Sequence, residues 1–353
     1  MKKKKIIFRC DGANLPEIGT GNVTRCVNLA NAFVKSKFCN INEIGFVTRQ
    51  NKFFDIGYRL VQQSSYFLEK TSDQNLKWNT KREADVLKKL NPSVLIIDRL
   101  STKYNWMKML SNSNCSIISF DDNGSGTKLA DIVINGVLHR KQSKKNIYVG
   151  YDYLFLDDVS KYIKKKIKKK VKHISVSFGG YDDRNLIGFF LQILKKNKWL
   201  KEKKFEIDLL VGQEQNKLFR KWQKEVKDLN NFKNIKVNLL VRPKDYLKRL
   251  SKADLAILSG GHTVFYALSM GVPVIGLPQY KHQLKTLRNL EIKGAVKLGS
   301  KKMLLDKKKF IFTLESIINS FKDRKYLCKK GKNLIDGRGS KRVINILSSL
   351  LKN

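Results

Sequence analysis

Three glycine turns hold the residues best suited to chemistry in this chain. They are Gly19-Thr20-Gly21 followed by Asn22, Gly179-Gly180, and Gly260-Gly261 followed by His262 and Thr263. A glycine turn that leaves a strand and opens a helix lets backbone N–H groups approach an anion, and the helix dipole favours negative charge there. Phosphate binding is the chemistry such turns can perform. Polar side chains gather around them. Asp11 ends the first apolar run, Asn22 and Arg25 open the next helix, Asp98 and Asp122 stand at the ends of later runs, and His282-Gln283 follows the third turn. Asp11 and His282 are the candidates for proton transfer near neutral pH; Asp11 equally suits a cap of the glycine loop. A carboxamide such as Asn22 can orient water or a ligand hydroxyl but cannot take a proton, and it can equally cap a helix. Arg25 suits a phosphate or a surface position; Asp98 and Asp122 suit ligand hydroxyls or helix caps. His139 and His173 lie outside these turns and read as structural.

The elements that must position these residues follow from the apolar pattern. The run Leu255 to Tyr280 has no charged residue in a chain of net charge +42. Gly260-Gly261, Gly271 and Pro273 cut it into pieces too short to span a bilayer. It reads as strand Leu255–Leu258, a glycine turn, helix Thr263–Met270 and strand Val272–Gly276. Upstream, strands are expected at Ile6–Arg9, Ile44–Thr48, Val94–Asp98, Ser116–Phe120 and Ile132–Asn135, with helices near Asn22–Val34, Thr80–Leu90 and Tyr104–Leu110. Downstream, strands His173–Phe178, Phe205–Val211, Lys236–Val241 and Ala295–Leu298 alternate with helices such as Asn185–Leu194, which Asp182-Asp183 would cap. Short β-branched runs alternating with helices predict α/β architecture with two doubly wound, Rossmann-type parallel sheets. Such a pair of domains usually binds ligand in the cleft they share, at the C-terminal ends of strands. The expected division is an N-terminal domain over 1–156, a basic linker over 157–172, a C-terminal domain over 173–336 and a closing helix over 337–353 that packs back on the first domain.

Composition narrows the function classes. With 353 residues and 42% apolar content, two cored domains are expected and wholesale disorder is excluded. Five scattered cysteines without a CxxC pair and four dispersed histidines predict a reducing cytosol, no structural metal and no cofactor. The opening MKKKK leads into an apolar piece too brief for a signal-peptide core. The basic excess, 72 Lys and Arg against 30 Asp and Glu, is mostly dispersed lysine without a nucleic-acid module, so no specific nucleic-acid partner is expected. Its densest cluster, Lys161–Lys172, reads as a solvated inter-domain segment. A second reading is a short amphipathic helix, with Ile163, Ile167 and Val171 on one face, for peripheral contact with an anionic membrane. The sequence specifies no oligomeric state.

The pattern as a whole resembles the UDP-sugar hydrolases of pseudaminic-acid biosynthesis, proteins of the GT-B fold related to the GlcNAc transferase of peptidoglycan lipid intermediates. The matching segments run in order along nearly the whole chain. They are Phe8-Arg9-Cys10-Asp11, Ile18 to Cys26, Asp121-Asp122, Ala130 to Asn135, Val176 to Gly180, Ser259 to Thr263, Gly271-Val272-Pro273 and Ile335 to Gly339. The resemblance implies that the second domain holds uridine and diphosphate, with Gly260, Gly261 and Thr263 giving backbone and hydroxyl contacts; Gly179, Gly180, His262, Tyr266 and Gln283 are further candidates for the nucleotide site. It implies that the first domain presents the reacting group on the glycine loop at the start of its first helix; Gly19, Gly21, Arg25, Asp98 and Asp122 are the candidates for the sugar side. Water would displace UDP at the anomeric carbon.

Three positions depart from the family pattern. The hydrolases place a histidine, thought to act as base, directly after G-x-G, where this chain has Asn22. A ribose-binding glutamate is replaced by Tyr266, and an expected Asn-Gln pair is His282-Gln283. The catalytic candidates are therefore Asn22, Asp11 and His282. The expected function is release of UDP and a free 2,4-diacetamido-trideoxy sugar in surface-glycan or nonulosonic-acid biosynthesis. The alternatives are a glycosyltransferase with a glycan or lipid-linked acceptor, and a nucleotide-sugar-binding homologue without turnover.

Overall fold

The computed structural model describes residues 5–13, 15, 18–71, 79–111, 114–137, 146–156, 159–163, 166–212, 216–300 and 306–352. The chain divides into two compact units, Met1–Asp157 with Arg338–Asn353, and Asp158–Gly337. His139 lies outside the described residues.

The first unit runs β1 (Ile6–Cys10), α1 (Gly21–Lys35), β2 (Ile44–Arg49), α2 (Asp55–Gln62), β3 (Phe67–Thr71), α3 (Lys81–Lys89), β4 (Val94–Asp98), α4 (Tyr104–Ser111), β5 (Ser116–Phe120), β6 (Ile132–Asn135) and β7 (Ile147–Val149). Its seven described strands are all parallel, in the order β3-β2-β1-β4-β5-β6-β7. The central strands IIFRC and VLIID are buried along their whole length, as strands covered on both faces must be. On one face α1 packs Val23, Cys26, Leu29, Ala30 and Phe33 onto Phe8 and Phe46, at the three- and four-residue spacing of a helix stripe. On the other, Ala84, Leu87, Trp106 and Leu110 of α3 and α4 cover Ile7, Leu95 and Ile97.

The second unit runs β8 (His173–Ser177), α5 (Leu186–Lys196), α6 (Lys198–Glu202), β9 (Phe205–Val211), α7 (Asn216–Asn230), β10 (Ile235–Val241), α8 (Tyr246–Lys252), β11 (Leu255–Leu258), α9 (His262–Met270), β12 (Val274–Gly276), α10 (Lys281–Ile292), β13 (Lys297–Leu298), α11 (Lys307–Asn319) and α12 (Phe321–Leu334). The order β10-β9-β8-β11-β12-β13 repeats the doubly wound plan, again parallel throughout. The uncharged run is β11, α9 and β12. Gly271, at φ +76°, ends α9 in the left-handed region, and β12 starts only after Pro273. In each unit the strand order reverses at one place, between β1 and β4 and between β8 and β11. The crevice outside the strand ends at such a reversal is where doubly wound folds bind ligands.

The chain then returns to the first unit as α13 (Gly339–Lys352). Val343 and Leu347 join the core beside α1, and Ser340 exchanges hydrogen bonds with the Leu156 backbone. A Cβ on Gly339 would stand 2.1 Å from the Leu154 carbonyl oxygen, so this turn admits only glycine.

The basic segment before β8 belongs to the second unit. Arg324, fully buried at the head of α12, donates to the carbonyls of Lys168 (3.3 Å) and Lys169 (2.6 Å) and to those of Ile317 and Ile318. Among its described residues the segment contains a single 3-10 turn, Ser160–Tyr162, and no α-helix. The amphipathic-helix reading of Lys161–Lys172 is therefore corrected: Ile163 is exposed, Val171 is buried, and the backbone is tied down by Arg324. No helix among the described residues is long and apolar enough to cross a membrane.

Candidate functional site

At the reversal point of the first unit, the C-terminal end of β4 meets the first turn of α1. Asn22 donates its amide to the Asp98 carbonyl (3.2 Å) and to Asp98 Oδ1 (2.8 Å). Arg25, one turn on, grips the same carboxylate in a fork, Nε to Oδ2 and Nη2 to Oδ1 at 2.6 Å each. Its other arm reaches Asp121, a residue at φ +47° whose Oδ1 also accepts from the Gly136 N–H at 2.9 Å. Cys26 adds a thiol contact to Asp98 Oδ2 at 3.6 Å. Burial pushes the Asp98 carboxyl up, with Asp121 adding to the rise and Arg25 opposing it. Burial likewise holds the Cys26 thiol well above its usual range, which leaves it un-ionised.

This geometry revises two sequence-based roles. Arg25 is buried against two carboxylates and is a scaffold cation, not a surface or phosphate-facing arginine. Asn22 is not a helix cap: the N-cap of α1 is Thr20, and the Asn22 amide is spent on Asp98.

Asp11 lies in a second buried cluster. Its carboxylate pairs with Arg9 at 2.7 Å and Arg99 at 3.4 Å, accepts from the Arg49 backbone N–H at 2.8 Å, and has the Arg49 side chain at 3.9 Å. Glu83, from α3, takes the remaining arms of Arg9 and Arg99. Burial disfavours the ionised Asp11, but the surrounding guanidiniums outweigh it and hold the carboxyl below its ordinary range. Glu83 is held down to about 2 in the same way. A carboxylate stabilised as an anion and enclosed by arginines is a poor proton acceptor, so Asp11 is withdrawn as the replacement base.

Asp122 is likewise occupied. Its two oxygens accept from the N–H groups of Thr102 (2.9 Å) and Gly124 (2.7 Å) and the hydroxyls of Thr102 and Ser119, so it staples the β4 and β5 loops together. Gly19 is exposed at the mouth of the loop, with open space where a Cβ would stand. Gly21 is the first residue of α1.

In the second unit the two glycine turns lie side by side at the reversal point. The Ser259 N–H donates to the Ser177 carbonyl at 3.2 Å. A Cβ built on Gly179 or Gly261 would stand 3.9 or 4.0 Å from Ser259 Oγ, and one built on Gly180 would meet nothing. Gly260 differs: its Cβ would fall 2.5 Å from the Gln283 carbonyl oxygen, so the turn is pressed against the start of α10. Helix α9 begins at His262, and its N-cap is Gly261, which has no side chain. A helix start with a glycine N-cap, beside the open positions Gly179, Gly180 and Gly261, is suited to a diphosphate.

The surrounding side chains complete this end of the sheet. Gln279 is buried and donates to the carbonyls of Phe178 and Tyr181, holding the Gly179-Gly180 turn in place. Its backbone N–H donates to Gln283 Oε1 at 2.9 Å, which makes Gln283 a brace of the loop. His282 is exposed on the first turn of α10, and its ring stacks on Tyr280 at 5.6 Å. Tyr280 donates its hydroxyl to Asp183 at 2.8 Å. Thr263 is half-buried on the first turn of α9. Tyr266, one turn further on, meets Tyr246 of α8 edge to face at 6.3 Å, leaving an aromatic edge where a ribose carboxylate was expected. Asp182 accepts from the Leu186 and Ile187 N–H groups at the start of α5, and burial lifts its carboxyl to about 6. Asp183 does not share that capping role. His173 pairs with Glu206 at 3.0 Å on β9, a structural contact. A groove of about 380 Å³ lined by Phe219, Val226 and Leu239 flanks the edge strand β10 and touches none of these residues.

Sequence reasoning missed Asp121, Arg99, Glu83 and Gln279. Asp121 alone left a usable signal, since it follows a parallel strand directly and precedes the predicted sugar-side aspartate.

The two parallel sheets and their strand orders define a chain of the GT-B fold. MurG of Acinetobacter baumannii superposes over 98% of this chain and 99% of its own, with a TM-score of 0.66 at 13% identity. MnaA of S. aureus, solved with UDP, superposes over 99% and 97% with a TM-score of 0.65, also at 13% identity. In sequence, the chain is 31% identical over 306 residues to an uncharacterized protein of Methanocaldococcus jannaschii. It is 28% identical over 269 residues to the spore coat polysaccharide biosynthesis protein SpsG of Bacillus subtilis. These alignments take in 80% and 73% of this chain; it spans 56% of the archaeal relative's length and 76% of SpsG. No family model matches the chain.

Proposed function

We propose that this protein is a nucleotide-sugar enzyme of glycan biosynthesis whose second unit binds the diphosphate of a UDP-sugar. The observation that carries the reading is the glycine N-cap of α9, Gly261, beside Gly179-Gly180, where added Cβ atoms would meet little or nothing and the backbone can be approached closely. Two likenesses support it: MnaA was solved with UDP, and SpsG is named for spore coat polysaccharide biosynthesis. Gly180, Gly261 and Thr263 supply the diphosphate contacts, and the Tyr246–Tyr266 edge is the candidate surface for the nucleoside. The reaction is cleavage of the anomeric C–O bond with UDP as leaving group. Following the resemblance to the pseudaminic-pathway hydrolases, water is the first acceptor to test, with a UDP-2,4-diacetamido-trideoxyhexose as substrate.

A second reading, transfer to a glycan or lipid-linked acceptor, draws on a specific observation. Neither Asn22 nor Asp11 can accept a proton from water, one being an amide and the other a carboxylate held ionised by arginines. His282 is then the remaining proton-transfer candidate. An assay of free UDP with and without added acceptor separates the two: release without acceptor supports hydrolysis, release that needs the acceptor supports transfer. A protein that binds UDP and releases none over a broad panel is the binding homologue.

A further inference from the structure

We propose that the solvent face of α12, together with the end of α10, docks the second unit on an anionic lipid surface. The exposed residues Lys322, Lys325, Tyr326, Lys329 and Lys330 recur at three- and four-residue steps, so they share one face of α12, opposite the buried Arg324, Leu327, Cys328 and Gly331. Four lysines thus surround one aromatic ring, and Lys330 Nζ lies 5.5 Å from its centre. Tyr326 is 53% exposed. Beside it ends α10: a Cβ on Gly294 would stand 2.8 Å from Tyr326 Oη. Two residues earlier is Ile292, 84% exposed, with Lys293 following it. Of the nearby acids, Asp323 borders the lysine face and Glu291 accepts from the Leu298 N–H.

Positive charge alone would not single out this surface in a chain of net charge +42. The combination does. A tyrosine and an isoleucine ringed by lysines match the boundary between acyl chains and anionic headgroups, where apolar bodies enter and ammonium groups stay with phosphate. Nucleic acid fits less well. The cations on the exposed face of α12 are all lysines without the planar fork of arginine, and the aliphatic Ile292 offers a base nothing to stack on; one arginine, Arg288, is exposed a turn earlier on α10. The patch is separate from the basic segment before β8, whose backbone Arg324 holds from inside.

The test is co-sedimentation of the full chain with phosphatidylcholine vesicles, with and without phosphatidylglycerol, at physiological salt. The protein is expected to pellet with the anionic vesicles and stay in solution with the neutral ones. Lys325→Gln, Lys329→Gln and Lys330→Gln together should weaken binding by more than about tenfold, as should Ile292→Asp with Tyr326→Asp. Lys221→Gln, Lys224→Gln and Lys227→Gln on the exposed face of α7 remove the same charge and should change binding by less than about twofold. All these positions are exposed, and circular dichroism checks that each variant folds. Equal losses in the two lysine triples would reduce the patch to general charge and overturn the proposal. So would absence of binding to anionic vesicles. Patch variants that bind vesicles normally but lose RNA binding or self-association would overturn it in favour of those partners.

Discussion

Asn22 gives both its amide interactions to Asp98, one to the backbone carbonyl and one to the carboxylate. Both groups are acceptors, so the amide nitrogen must face Asp98. Replacing Asn22 by Asp puts a second carboxylate against Asp98. Two such groups cannot both ionise cheaply, so the new carboxyl acquires a raised pKa. A raised folded-state pKa gives stability that is present at low pH and lost as pH rises through it. Asn22→Asp should therefore match the parent in acid and fall about 1–3 kcal/mol below it at neutral pH. Denaturant unfolding across pH checks this, and a pH-independent difference counts against the pairing.

Asn22→His offers an imidazole to the same carboxylate. Asp98 would take the N–H of one ring nitrogen and leave the other as a base at the loop. If water is the acceptor and only the base is weak, acceptor-free UDP release should rise by about 10²–10⁴-fold. A coupled UDP assay reads the gain. No gain, in a variant that still binds UDP, argues that the protein is not a hydrolase lacking one group.

The second buried cluster is a stability element with a pH signature. Glu83→Gln leaves Arg9 and Arg99 short of a counter-charge and should cost about 3–5 kcal/mol. In the parent protein Glu83 is depressed to about 2 from an ordinary 4.5. A depressed carboxyl contributes stability that is fully present above its unfolded pKa and is lost as pH falls through the folded one. Unfolding free energy should thus decline between pH 4.5 and about 2, and the decline should shrink in Glu83→Gln. Urea titrations at several pH values measure both.

The glycines of the second unit should separate into two groups. Gly260→Ala pushes a methyl into the Gln283 backbone and should destabilise the fold by about 1–3 kcal/mol. Gly180→Ala and Gly261→Ala meet open space and should leave stability within about 0.5 kcal/mol of the parent. They narrow the approach to the backbone, so UDP binding should weaken by about tenfold. Thermal unfolding and calorimetry together separate the groups. Normal UDP affinity in Gly261→Ala would falsify the placement of the diphosphate.

Most of the scaffold was legible because its strands are short apolar runs closed by glycine or aspartate. Strands β4, β5, β6, β9 and β11 lie where the pattern put them. Strand β3 was not legible: Phe67 to Thr71 includes Glu69 and Lys70, as a strand at the sheet edge can. Strand β7 is three residues at the opposite edge, too short for a period to show. At the site, backbone features could be read from glycine spacing alone. Side-chain partnerships could not, because Arg9, Arg49, Glu83 and Arg99 are separated in sequence and meet only when β1, β2, α3 and β4 assemble. That is why Asp11 and Arg25 looked like ligand-facing groups and are buried ion-pair partners.

If the second unit binds the diphosphate of a UDP-sugar at the α9 turn, titration calorimetry of the full chain with UDP should show saturable binding at one site per chain, weakened in Gly261→Ala. Folded protein that takes up no UDP, or binds it equally well in that variant, would rule the site out.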